Sequence, residues 1–192
     1  MTSYTIDPWD PGYGLAFDAD GAASATVQEL NLDVETKDWA PIGSRPATPR
    51  PTAVLFCDGV RRIDARVWIH GATPQPAPGI AASYAAGLVC CNDEAHVVDV
   101  RVERGLFTAA TEAADIGEYA VRSSVGSAPE NLSAALQSRL ADLEAQVALG
   151  YRTRERMTDD LVVVDGPIKG RTHVPRMVGY IKTHHTAYLP DR

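Results

Sequence analysis

The sequence predicts an α/β domain built on a mixed sheet, and three observations carry that prediction. Four strand-like runs follow one another between residues 53 and 107 before any convincing helix, the order of an antiparallel meander of three or more strands. A single stretch, residues 129–156, then repeats its apolar side chains at helical spacing. A short, nearly all-apolar run at 160–165 comes after it, as expected of a strand buried on both faces.

Taken in order, residues 1–50 have little periodicity and many turn formers (Pro8, Pro11, Gly12, Gly14, Pro41, Gly43, Pro46, Pro49). They read as an irregular N-terminal arm, with a short helix or strand near 23–34. Core structure is expected from Thr52 onward, through 51–192. Ala53-Val54-Leu55-Phe56-Cys57 is the first buried strand, and residues 61–70 alternate well enough to form a second, half-buried one. The Pro-rich stretch 71–79 is a loop. Residues 80–92 form a third strand, although Ala and Gly leave a helix open at its start. Residues 95–107 form a fourth, with Val98, Val100 and Val102 on one face and Asp99, Arg101 and Glu103 on the other.

The helix is marked by Leu132, Leu136, Leu140, Leu143, Val147 and Leu149. Ser127 or Asn131 can cap its start, and Gly150 is placed to interrupt it near the end. After the strand at 160–165, residues 177–182 form a short final strand. The chain stops soon after it without a closing element, which predicts a piece of a longer protein.

Composition excludes several classes. Of 192 residues, 45% are apolar and 22% charged, so the chain is globular rather than disordered. A formal charge of −7 argues against a broadly basic nucleic-acid coat. It leaves room for a local basic strip, which Lys169, Arg171, Arg176 and Lys182 supply. The N-terminus has no signal-peptide pattern, and no apolar run nears the roughly 20 residues of a membrane span. Cys57, Cys90 and Cys91 make neither a disulfide framework nor a zinc knuckle, so reduced buried thiols and a cytoplasmic location are expected.

Two Asp-Gly pairs carry the chemistry. Both Asp58-Gly59 and Asp165-Gly166 follow directly on apolar strands. An ionised Asp at the end of a buried strand is costly unless paired, and two of them held together favour a divalent cation. Glu144 on the intervening helix can complete the set, with Asp142 and Glu155 as alternatives. The competing reading of Asp58-Gly59 is a hairpin turn, which Asp-Gly favours. Pro167 makes the second pair less turn-like.

Lys182 is placed to meet a phosphate, and His184 is a phosphate or acid/base contact. His184-His185 lacks the partners for zinc. Gly166-Pro167-Ile168-Lys169-Gly170 lacks the spacing of a nucleotide-binding phosphate loop. A phosphotransfer hydrolase would need a second Asp two residues after the first, where Val60 and Pro167 stand instead.

At Val54-Leu55-Phe56-Cys57-Asp58-Gly59, Leu161-Val162-Val163-Val164-Asp165-Gly166-Pro167-Ile168 and Val178-Gly179-Tyr180-Ile181-Lys182-Thr183, the chain resembles the NurA nuclease family over about residues 50–190. The resemblance implies an RNase H-like fold and manganese or magnesium held by Asp58, Glu144 and Asp165. It further implies cleavage at DNA ends in repair (5′–3′ exonuclease and single-strand endonuclease), DNA contacts from Lys182, Lys169, Arg171 and His184, a homodimer, and a HerA-type hexameric translocase as partner. The family also uses a Tyr and a His late in the domain. No confident equivalents stand here, which fits a truncated chain or a non-catalytic module that binds the translocase or DNA.

Overall fold

The computed structural model describes residues 2–8, 36–38, 40, 43, 49–155, 159–168 and 174–182. Its strands are β1 (Ser3–Pro8), β2 (Val54–His70), β3 (Ala77–Cys91), β4 (Ala95–Thr108), β5 (Ala120–Ser123), β6 (Leu161–Asp165) and β7 (Met177–Tyr180), with one helix, α1 (Pro129–Arg154), between β5 and β6. They form one mixed sheet in the order β5-β4-β3-β2-β6-β7, with β1 also paired to β2. The meander β2-β3-β4 is antiparallel, whereas β4–β5, β2–β6 and β6–β7 are parallel. The expected α/β class and mixed sheet are therefore present.

α1 lies on one face. Leu132, Leu136, Leu140, Leu143, Val147 and Tyr151 recur every three or four residues and pack on Leu55, Cys57, Ala82, Tyr84, Ala86, Leu88, Val162 and Val164. Tyr151, rather than the expected Leu149, takes the last position of this seam because it falls four residues after Val147. The helix starts at Pro129 after Ala128, whose side chain makes no capping bond, so neither Ser127 nor Asn131 is the cap. Gly150 does not interrupt it: burial of Ala148, Tyr151 and Arg152 on either side carries the helix through to Arg154.

A buried ion pair ties the end of α1 to the sheet. Arg152 and Tyr151 both donate to the Asp160 carboxylate, and Arg152 Nη2 also donates to the carbonyls of Asp160 at 3.0 Å and Arg176 at 2.9 Å. Those three residues fix where β6 and β7 begin relative to the helix. Each charge is hydrogen-bonded, the condition under which a buried pair is tolerated.

Three departures from the sequence reading matter. First, residues 53–70 are not two strands separated by a turn at Asp58-Gly59. β2 runs unbroken for 17 residues, because β3 pairs with it from Val54 to Ile69 and supplies the hydrogen bonds a turn would have lost. Second, Ser3–Pro8 is not irregular but pairs antiparallel with the far half of β2, Ser3 opposite His70 and Pro8 opposite Ala65. A six-residue edge strand with a Pro at its end offers too little pattern to be recognised alone. The suggested element near 23–34 lies outside the described residues.

Third, the two faces of β4 are used in the reverse of what their polarity suggests. The charged side chains turn toward α1, where Asp99 pairs with Arg154 at 3.0 Å and Glu103 accepts from the Tyr84 hydroxyl at 2.8 Å. Val100 and Val102 face away from the helix and are 59% and 61% exposed. Val98 falls at an irregularity in the register, between the paired positions Val97 and Asp99.

Candidate functional site

The edge of β2 that faces away from β3 is shared. β6 covers it at Val54–Cys57 and β1 covers it at Ala65–His70. Between them, residues 58–64 have no described strand partner on that edge. The notch begins at Asp58, one residue past the last paired positions, Cys57 and Val164. Asp165 is likewise one residue past that point, at the end of β6.

Strand alternation then decides where the carboxylates point. Leu55, Cys57, Val162 and Val164 are buried under α1. Asp58 and Asp165 therefore share the opposite face, side by side on adjacent parallel strands. Phe56 (48% exposed) precedes Asp58 on that face, and Tyr180 (58%) stands in register with Asp165 on β7.

Glu144 approaches from the helix side. Gly59, the first residue of the notch to face α1, leaves room for it: a Cβ there would lie 2.4 Å from Glu144 Oε1 and 2.6 Å from Leu140 Cδ1. The half-buried Glu144 carboxyl is pushed up to about 7, by burial first and then by the negative charges of Asp58 and Asp165, with Lys182 acting the other way. Of the three helix carboxylates considered, Glu144 is the one directed at the aspartates. Asp142 is exposed beside Arg139, and Glu155 closes the end of α1 through its backbone N–H.

The second glycine has a different task. Gly166 has φ +79°, and a Cβ on it would meet nothing within 4 Å, so it is needed for its backbone conformation and not for space. Its N–H donates to the Tyr180 carbonyl at 2.9 Å. By contrast, the Gly59 N–H donates to Asp58 Oδ1 at 2.8 Å.

Lys182 Nζ lies 3.1 Å from Asp165 Oδ2. The ammonium is held above its ordinary proton affinity by that hydrogen bond and charge, and further by Asp58. Cys57, between the sheet and α1, is pushed up to about 12 by burial and by the Glu144 and Asp58 charges, and its thiol donates to the Glu144 carbonyl at 3.4 Å. It is a packed thiol, not a nucleophile.

Among the described residues no three His, Cys, Asp or Glu side chains stand close enough together to hold a metal ion as placed. The alternation is the reason: Asp58 and Asp165 lie on one face, Glu144 comes from the other, and Asp165 is engaged by Lys182. The donor chemistry nevertheless fits a hard divalent cation, since all three groups offer carboxylate oxygens and an ammonium already stands in as counter-charge at Asp165. Lys169, Arg171 and His184 lie outside the described residues. Arg176, another member of the basic strip, pairs with Asp159 at 2.8 Å.

A cavity of about 250 Å³ lies elsewhere, between β1, β2 and the loop at Ile116 and Tyr119, and shares no residue with this cluster. Sequence reasoning did not single out its one charged residue, Asp64, which accepts from Ser83 at 2.7 Å and Tyr119 at 3.1 Å and pairs with Arg62 at 3.1 Å. Asp64 sits in an alternating strand with nothing local to mark it.

No protein-family model and no curated protein matches this chain. No described helix is long and apolar enough to cross a membrane.

Proposed function

We propose that this chain is a manganese- or magnesium-dependent nuclease of RNase H-like architecture that hydrolyses phosphodiester bonds of DNA, at its ends. The observation that carries the reading is the placement of Asp58 and Asp165 one residue beyond the last paired positions of two adjacent parallel strands, with Glu144 reaching toward them past Gly59. Asp58, Asp165 and Glu144 would hold the cation, after side-chain rotation brings them together. Such a cation supplies Lewis acidity, making water a nucleophile at neutral pH and offsetting charge that develops on the phosphate.

The protein's own groups do the rest. Asp58 and Asp165 present oxygens on the exposed face, where a nucleic-acid backbone can approach. Glu144 holds a proton near neutral pH and releases it on joining the donor set, so cation binding is coupled to proton release. Lys182 supplies a positive contact for a phosphate oxygen, positioning the backbone without reading sequence. The DNA-end specificity, the HerA-type translocase, the homodimer and the cytoplasmic location follow from the family resemblance.

The test is cleavage of end-labelled single-stranded and blunt duplex DNA with manganese, magnesium or chelator. Metal-dependent cleavage, lost in Asp58→Asn, is the expected result. A folded chain that neither cleaves nor gives a heat of manganese binding would overturn the reading.

One observation favours a second reading. Phe56, Val60, Val100, Val102, Val178 and Tyr180 leave an apolar strip uncovered on the face away from α1. Strips of this kind mark partner surfaces, which suits a non-catalytic module of the same architecture. Retention of translocase or DNA binding without metal would distinguish it.

A further inference from the structure

Asp58 and Asp165 are side by side on one face, and two adjacent carboxylates on neighbouring strands repel. In the structure that repulsion is met by a side chain. Lys182 stands two residues after Tyr180, the end of β7 and the residue in register with Asp165, which brings it within reach of that carboxylate. Its Nζ sits 3.1 Å from Asp165 Oδ2, its charge also acts on Asp58 and Glu144, and the Lys182 side chain remains 59% exposed. No other lysine or arginine has a described ion pair with Asp58, Glu144 or Asp165. Among the described arginines, Arg62 pairs with Asp64, Arg139 with Asp142, Arg152 with Asp160, Arg154 with Asp99 and Arg176 with Asp159.

We infer that Lys182 is the resident counter-cation of the carboxylate cluster, occupying Asp165 until a divalent cation competes it away. This rests on the metal-dependent reading above. It gives Lys182 two successive tasks. In the cation-free chain it holds Asp165 and offsets the aspartate repulsion. When Asp165 is claimed, Lys182 lets go, and its exposed, flexible stem allows the ammonium to swing to a phosphate oxygen. A lysine suits this better than an arginine, because an ammonium is a single compact charge that leaves without breaking a two-point contact. Lys182 is thus a positioning residue that sets the affinity of the site, and its effect on affinity has the opposite sign to that of a structural support.

Calorimetric titration of manganese into wild type, Lys182→Met and Lys182→Arg separates the two. Removing a competing charge at an exposed pair should tighten manganese binding in Lys182→Met by about three- to tenfold, while lowering the Tm of the cation-free chain. Lys182→Arg should bind manganese no more tightly than wild type, because the charge is kept and a guanidinium can hold Asp165 at two points. Equal or weaker manganese binding in Lys182→Met, with wild type binding normally, overturns the counter-cation assignment and leaves the metal-dependent reading standing. Absence of binding in both proteins overturns both.

Discussion

The two Asp-Gly pairs look alike in sequence and differ in structure. Asp58-Gly59 lies within an unbroken strand, and its glycine is required because Glu144 and Leu140 occupy the space a Cβ would need. Asp165-Gly166 ends a strand, and its glycine is required because the backbone turns through positive φ with empty space around it. One glycine makes room for the helix carboxylate and the other redirects the chain. A repeated dipeptide is therefore no guide to a repeated structural role: the first pair is shaped by what packs over it, the second by its own backbone.

The largest expected effect removes what the pairs share. Asp58→Asn and Asp165→Asn should each reduce metal-dependent cleavage by more than about a hundredfold, and the double variant should lose little more, since residues acting as one unit are not additive. Initial rates on a labelled oligonucleotide measure this. Independent, additive losses would separate the two aspartates into different sites.

The glycines break the comparison open. Gly59→Ala should cost about 1–3 kcal/mol in urea unfolding by overpacking against Leu140, and should also weaken manganese binding by displacing Glu144. Gly166→Ala should cost about 1–2 kcal/mol from backbone strain alone, with manganese affinity close to wild type. If both variants change affinity equally, the division of roles between the glycines is wrong.

The smallest effect is a pH slope. The Glu144 carboxyl moves from 4.5, its ordinary value, to about 7 in the folded chain. The folded state then binds more protons than the unfolded one between those values. The resulting stability is complete below about 4.5 and is lost as pH rises through about 7. Melting curves in cation-free buffer should show Tm falling from acid toward neutral pH, and Glu144→Gln should flatten that fall. An unchanged slope in the variant would assign it to other groups. With manganese present the sign reverses for wild type, because a bound cation favours the ionised carboxylates.

Periodicity and composition determined a good deal. The meander, the helix and the buried strand after it were legible because each repeats its apolar residues at a period set by local geometry: two for residues 61–70 and 95–107, three to four for 129–156. Asp58, Glu144 and Asp165 were legible as candidates because an acidic residue beside an apolar run is chemically conspicuous. What a strand faces is not a local property. The alternation of β4 gave two faces without saying which α1 would cover, and α1 covers the charged one, where Asp99 and Glu103 find Arg154 and Tyr84. The continuity of β2 through Asp58-Gly59 came from β3, and the strand character of Ser3–Pro8 came from β2. The notch that exposes Asp58 exists because β6 leaves β2 where β1 has not yet joined it, a coincidence of three segments far apart in the chain. Side-chain chemistry and period are written residue by residue, whereas faces, edges and gaps arise only when distant segments compete for the same hydrogen bonds and the same apolar surface.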